Sequence, residues 1–341
     1  MKKTLLALFA FAALVSCTKD NVLENNNEAI GFNKTFIQNS VKSVNDPSFT
    51  DANLFSDFAV YGFVEGAVLF DGTQVSKSIS NDKLTSAWKY EGTQYWIAGA
   101  NYDFNAVAPY NGGWTKTSAT NDATTLSFVN NGTTDLLYAY ASQEGKVSGN
   151  TAVALDFRHV LSKVKFSFEN AYNASNATIK VSEITITNPY ISATATLNAN
   201  TVWSAWASDA SFKLNFGAAV NETQDDDSTA EGVNVSNSAD AFAFGTTLES
   251  YSELLLIPGA KPEGGYVVTF KVDLLVNGSS VKVYEHSVKA DFVPEAGQSY
   301  DIKAVINAQN IDPQGKQEPI EFTVNKVEGW GTTNNIPKEN N

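Results

Sequence analysis

A pair of alternating apolar runs in the second half of the chain constrains its fold more than any other feature. Between Tyr266 and Val276 every second residue is apolar, which is typical of a β-strand with one face in a core. Asn277-Gly278 follows, and a second alternating run begins at Val281. Because Asn-Gly favours the tight turn that joins antiparallel strands, the sequence predicts a long β-hairpin.

Further short strands are predicted along most of the chain. Phe58–Val64 is continuously apolar and predicts a buried strand, while the apolar positions of Ile179–Ile186 change sides and predict a β-bulge near Ser182-Glu183. Short strands separated by turns, without a helical pattern of useful length, indicate an all-β sandwich or barrel. Other predicted strands include 88–90, 95–98, 103–108, 125–128, 136–141 and 300–306.

The first and last predicted strands lie close to the ends of the chain. Ile30 and Phe32 share one face of the first. Ile320, Phe322 and Val324 alternate in the last.

The length of 341 residues predicts two domains. A turn-rich stretch near 149–154 places the boundary between an N-terminal β-sandwich, 29–153, and a C-terminal β-sandwich, 154–341. The second contains an acidic, polar loop at 221–240, with three consecutive aspartates. Such a run is typical of a solvated insertion, and a calcium loop is the alternative.

The N-terminus predicts export. Two lysines precede an apolar run from Thr4 to Val15, which is too short to span a bilayer but has the length of a signal-peptide core. Leu14-Val15-Ser16-Cys17 then resembles a lipobox, so we predict a signal peptide at 1–16 and acylation of Cys17, the only cysteine. An ordinary signal peptide is the alternative. The Asn-rich residues 17–28 predict a flexible tether.

The net charge and the residue content exclude several classes of function. A formal charge of −14 argues against nucleic acid and anionic lipid headgroups as partners, since both need basic patches. The two histidines, His159 and His286, lie in no recognisable metal or catalytic spacing. We therefore predict neither an enzyme nor a cofactor or metal site; a hydrolase built from two carboxylates is the third-ranked alternative.

Several motifs, taken in order, resemble the fimbrillin family, the type V pilins of Gram-negative anaerobes. They are the lipobox with its Asn-rich tether, Ala29–Phe32, Leu155–Val164, Leu254–Pro258, Pro294–Tyr300 and Val327–Gly331.

This resemblance implies two transthyretin-like Greek-key β-sandwich domains in tandem and a fimbrial subunit. Such subunits are exported as lipoproteins to the outer membrane, where a protease removes the N-terminal segment with the first strand. The exposed groove then accepts a strand from the next subunit in a head-to-tail polymer. Here the leaving strand would contain Ile30 and Phe32, and the donor candidate is the strand with Ile320, Phe322 and Val324.

One departure from the family concerns the processing site. Members that polymerise are often cut after an arginine that follows the first strand, but the only arginine of this chain is Arg158. Lys42 occupies about the corresponding place. Either a lysine-tolerant protease acts there, or the protein keeps its lipid as an anchor subunit or a non-polymerising surface lipoprotein.

A surface glycan-binding lipoprotein is the second-ranked interpretation. It depends on six tryptophans that could form a sugar-stacking platform, with packing in the core as the simpler explanation. They are Trp88, Trp96, Trp114, Trp203, Trp206 and Trp330.

Overall fold

The structure is a computed structural model that describes residues 28–37, 56–77, 79–80, 83–84, 88–216, 241–250, 252–311 and 318–327. Within these ranges the chain is nearly all strand, so the all-β prediction is confirmed. The helix α1 (Ala308–Ile311) has four residues. No helix in the described part of the chain is long and apolar enough to cross a membrane.

The strands are, in chain order, β1 (Phe32–Ile37), β2 (Asp57–Val64), β3 (Ala67–Ser76), β4 (Ile79–Ser80), β5 (Lys83–Leu84), β6 (Lys89–Tyr90), β7 (Asn101–Ala108), β8 (Trp114–Ala119), β9 (Thr124–Val129), β10 (Leu137–Glu144), β11 (Val153–His159), β12 (Ser162–Asn170), β13 (Ala177–Ile186), β14 (Tyr190–Leu197), β15 (Val202–Ser208), β16 (Leu214–Phe216), β17 (Phe242–Ala243), β18 (Thr247–Glu249), β19 (Leu254–Leu256), β20 (Tyr266–Val276), β21 (Ser279–Ala290), β22 (Ser299–Ile306) and β23 (Phe322–Val327).

The largest sheet has seven strands in the order β1-β11-β10-β7-β2-β3-β6. Both of its faces are apolar, because β2 is buried on successive residues from Phe58 to Phe63. One face covers a core that includes Phe58, Phe104 and Phe157. The strand predicted to be buried at Phe58–Val64 is therefore confirmed.

A four-stranded sheet, β15-β14-β9-β8, packs on the other face of the large sheet. Their shared core includes Tyr61, Tyr138, Leu126 and Trp203. Two strands of the small sheet come from residues 114–129 and two from residues 190–208, so distant parts of the chain meet in it.

Besides a two-stranded sheet of β4 and β5, the described chain forms two five-stranded sheets. One has the order β18-β12-β22-β23 with β19 beside β12, and the other has the order β16-β13-β20-β21 with β17 beside β13. Alternate residues of β12 and β20 point into one core between them, including Phe166, Phe168 and Phe270. This is the packing of a β-sandwich.

The predicted hairpin and bulge are both confirmed. β20 and β21 pair antiparallel around Asn277 and Gly278, which have φ values of 51° and 78°, as a type I′ turn requires. The pairing of β13 with β20 shifts register between Ser182 and Thr185, where Glu183 has φ 54°.

The division into two domains at residues 153 and 154 stays a prediction. β11 begins at that point and pairs with β1 and β10, while β14 and β15 join β9. The shared core of the large and small sheets also contains Leu255 and Ile257.

Candidate functional site

The first strand lies at an edge of the seven-stranded sheet. β1 pairs parallel with β11, with Phe32 opposite Val153. Ile30 and Phe32, the two residues predicted to share one face of this strand, are 1% and 4% exposed. The residues just before and at the start of β1, Glu28–Phe32, make the contacts that define the site, and we call them the closing segment.

The Phe32 ring lies in a cup of four aromatic rings. Its centroid is 5.8 Å from that of Phe58, 5.9 Å from those of Phe70 and Tyr90, and 6.0 Å from that of Phe104. All four contacts are edge-to-face, the arrangement that the ring quadrupoles favour. We call these four rings the aromatic cup.

On one side, the closing segment pairs with the loop that follows β6. The Ile30 N–H donates to the Gln94 carbonyl at 2.8 Å, and the Trp96 N–H donates to the Glu28 carbonyl at 3.0 Å. These two bonds flank an antiparallel bridge between Ala29 and Tyr95.

On the other side, the closing segment meets β11. The Val153 N–H donates to the Gly31 carbonyl at 2.7 Å. Back on the β6 side, the Tyr90 hydroxyl donates to the Ile30 carbonyl at 2.8 Å. Since β11 and β6 lie towards opposite edges of the seven-stranded sheet, the closing segment connects the two edges.

The Glu28 carboxylate is held by two backbone amides. The Gly149 N–H donates to Oε1 at 2.8 Å, and the Asn150 N–H donates to Oε2 at 2.5 Å. These hydrogen bonds hold the pKa of Glu28 below its ordinary value. The loop itself is fixed because the Asn150 side chain bonds the backbone N–H and carbonyl of Lys146, at 2.7 and 2.9 Å. We call the two amides the carboxylate clamp.

The closing segment therefore occupies a groove with three kinds of receptor: the aromatic cup, backbone partners on both sides and the carboxylate clamp. We call this surface the first-strand groove. Sequence reasoning identified Ile30 and Phe32 but placed Glu28 at the end of the tether. The available signal was the spacing of Glu28, Ile30 and Phe32, since alternate residues of an extended chain share one side.

The predicted last strand is β23, at the edge of its own sheet beside β22. Ile320, just before it, is 3% exposed, whereas Phe322 and Val324 are half-buried. The Phe322 ring lies 5.7 Å from Phe166 and 5.9 Å from Phe270.

Several predicted features lie outside the described residues. They are Cys17, Lys42, the acidic loop 221–240 and Trp330. The described chain resumes at Ser56 after Ile37, and Lys42 falls between the two.

The five described tryptophans contribute mainly to packing. Trp88, Trp96 and Trp203 are 6–8% exposed. Trp114 and Trp206 are half-buried against the core of the small sheet, and their indole N–H groups donate to backbone carbonyls at 2.9 and 3.0 Å. Both of these indole N–H groups are therefore bonded to the protein's own backbone.

The two histidines lie in different sheets. His159 in β11 contacts the Asp135 carboxylate. His286 in β21 stacks on Phe270 at 5.2 Å, and burial lowers its pKa. Among the described residues, no group of three or more histidine, cysteine, aspartate or glutamate side chains could hold a metal ion.

Comparison with known proteins identifies the family of this chain. A family model described as fimbrillin-like matches residues 44–328.

Solved structures also match, and they include two provisionally described as cell adhesion proteins. The one from Bacteroides ovatus has 18% identity over 89% of this chain and 98% of that one, with a TM-score of 0.48. The one from Bacteroides uniformis has 15% identity over 89% and 97%, with a TM-score of 0.47.

The fimbrial anchor protein Mfa2 from Porphyromonas gingivalis also matches, at 14% identity over 81% of this chain and 90% of that one, with a TM-score of 0.32. A sequence search of curated proteins finds no match.

Proposed function

Because this chain belongs to the fimbrillin-like family, we propose that it is a fimbrial subunit, exported as an outer-membrane lipoprotein through Cys17 and assembled by donor-strand exchange. The family is structural, so the protein is non-enzymatic and acts at the cell surface in a fimbrium-like assembly with other fimbrial subunits. We further propose the steps by which the subunit is assembled: lipidation, removal of the first strand, and insertion of a strand from a neighbouring subunit.

The observation that carries the proposal is how the closing segment is held. Its contacts to the rest of the sheet are hydrogen bonds and ring contacts, and its covalent link to β2 passes through the stretch that contains Lys42. A cut after Lys42 would therefore leave Glu28–Ile37 attached by non-covalent contacts alone.

Loss of the closing segment would leave a groove with strong affinity for another strand. The Trp96 and Val153 N–H groups and the Gln94 carbonyl would exchange their protein partners for water, and each such hydrogen bond that a new strand restores contributes about 0.5–1.5 kcal/mol. The aromatic cup would lose a ring whose burial contributes about 1.5–3 kcal/mol. An extended strand can restore all of these interactions by β-augmentation. Repetition without closure then gives a filament.

The proposal is tested on protein taken from the surface of its native cells. Intact mass and N-terminal sequencing should find a start at Ser43, and an unboiled denaturing gel should show a ladder of heat-labile multimers. Lys42→Gln is the matched variant, since it removes the cut while leaving the described fold untouched. It should keep the protein lipidated at Cys17 and monomeric.

Two results would contradict parts of the proposal. A wild-type protein that keeps a lipidated Cys17 and runs as a single band would be an anchor or a surface lipoprotein that does not polymerise. Affinity electrophoresis on polysaccharides would then test the glycan-binding alternative. A Cys17→Ala protein that still fractionates with the outer membrane would exclude the lipid anchor.

A further inference from the structure

The closing segment has a counterpart at the other end of the chain. Glu28, Ile30 and Phe32 are spaced two residues apart, and the same three residue types recur with the same spacing at Glu318, Ile320 and Phe322. The second set includes the residue just before β23 and the first residue of that strand. In the first set Glu28 binds the carboxylate clamp and Phe32 fills the aromatic cup, and the second set offers the same residue types at the same spacing.

The two intervening positions also tolerate the exchange. Pro319 corresponds to Ala29, and the two backbone bonds at this bridge are made by Ile30 N–H and the Glu28 carbonyl. A proline at the intervening position therefore sacrifices neither bond.

Glu321 corresponds to Gly31. A Cβ placed on Gly31 would have Ala152 Cβ as its nearest neighbour at 3.7 Å, which is ordinary van der Waals contact. A Cβ therefore fits at this position of the groove, and the rest of the Glu321 side chain, which is exposed in its present place, would extend towards solvent.

In its present place the second set is tightly packed at its middle residue and less so at its ends. Ile320 is 3% exposed, but Glu318 is exposed and Phe322 is half-buried, whereas Phe32 in the aromatic cup is 4% exposed. The Asn310 amide donates to the Glu318 and Pro319 carbonyls at 3.3 Å each. Transfer to the groove would exchange one edge pairing, with β22, for another, with β11. Ile320 and Phe322 would leave the core of their own sandwich, and the Phe322 ring would become more deeply buried in the aromatic cup than it is now.

We propose that the vacated first-strand groove accepts residues Glu318–Phe322 of a second copy of this chain, with Glu318 on the carboxylate clamp and Phe322 in the aromatic cup. This inference rests on the proposed function and fixes its register. The incoming strand runs parallel to β11, and the Val153 N–H donates to the Glu321 carbonyl as it now does to that of Gly31.

Disulfide trapping tests the register directly. Asn33 lies opposite Ala154 in the β1–β11 pairing, and the proposed register puts Thr323 in the place of Asn33. All three are exposed. Paired residues on neighbouring strands lie within the Cα separation that a disulfide needs.

The experiment uses the mature chain with Cys17→Ser and a specific protease site inserted after Lys42. After the cut and oxidation, Ala154→Cys with Thr323→Cys should give intermolecular cross-links. Ala154→Cys with Asn325→Cys, on the same exposed side two residues away, should give few. In the uncut protein, Asn33→Cys with Ala154→Cys should cross-link within one chain, which verifies the geometry.

A pair of charge variants tests the clamp. Glu318→Gln should weaken multimer formation about three- to tenfold, because it removes a charged acceptor from two N–H donors. Glu321→Gln removes the same charge three residues away and should have no such effect. Equal behaviour of these two variants would overturn the role of the clamp.

A peptide separates this inference from the proposed function. A synthetic peptide of residues 318–327 with cysteine at 323 is added to the cut Ala154→Cys protein. Cross-linking of the peptide without multimers of the full chain would support the register and contradict polymerisation. Multimers without cross-linking at 154–323 would overturn the register while leaving donor-strand exchange in place. Absence of both multimers and peptide cross-links would overturn both.

Discussion

Phe32→Ala should release the closing segment without disturbing the rest of the fold. Phe32 is 4% exposed and touches four aromatic rings, so its truncation removes a fully packed side chain. Such Phe→Ala changes cost about 3–5 kcal/mol. At about 1.4 kcal/mol per factor of ten, the lower end of this range already raises the population of the undocked segment by about two powers of ten, and most of the range raises it by two to three or abolishes docking altogether.

Native-state hydrogen exchange measures this release. The Trp96 and Val153 amides report it, because both donate to carbonyls of the closing segment. Their protection should fall by the same two to three powers of ten, with the amides of β20 as an internal reference for global unfolding. Asn33→Ala, an exposed neighbour on β1, is the matched control and should change little. Protection of both amides within tenfold of the wild type in Phe32→Ala would refute the reasoning.

Three further changes test other parts of the structure. The lowered pKa of Glu28 means that its contribution to docking is present above the ordinary value of 4.5 and is lost as the pH falls through the lowered one. The protection factors of the clamp amides, which correct for the intrinsic pH dependence of exchange, should therefore fall below about pH 4.5, and Glu28→Gln should remove that dependence. Gly145→Ala places a Cβ 2.2 Å from a backbone carbonyl oxygen and should lower the free energy of unfolding by about 1–3 kcal/mol in urea, whereas Gly31→Ala should be nearly neutral. Tyr138→Phe removes a buried hydroxyl that donates to Asn105 at 2.5 Å and should cost about 1–2 kcal/mol in the same assay.

Local patterns predicted the parts of the fold that local chemistry determines. The Asn277-Gly278 hairpin and the bulge at Glu183 follow from turn preference and from a change in apolar phase, and both are present. The predicted strand at Tyr95–Ala98 was wrong: Tyr95 forms a single bridge, and a turn follows at Ala98. β3 was not predicted, because Asp71-Gly72 interrupts the alternation of its apolar residues. One of these apolar residues, Val68, is 64% exposed, so hydrophobicity alone does not mark the buried face of this strand.

The candidate site was predicted only in part, because some of its contacts join residues that are far apart in the sequence. Burial of Ile30 and Phe32 follows from their own hydrophobicity and spacing. The clamp on Glu28 depends on two amides more than a hundred residues further along the chain, and the connection of the two sheet edges depends on the order in which seven strands pair. No pattern within the first forty residues contains that information.

The small sheet, which combines β8 and β9 with β14 and β15, has a mechanical consequence. In a filament assembled as proposed, tension would enter a subunit at β23 and leave at the first-strand groove. The core that the small sheet shares with the large one contains Tyr138 from β10 together with Leu255 and Ile257 from the later part of the chain. The load would therefore be distributed over several hydrogen-bonded strands and a packed interior. Under stretching, each subunit should rupture in one event, without first extending at a weak joint.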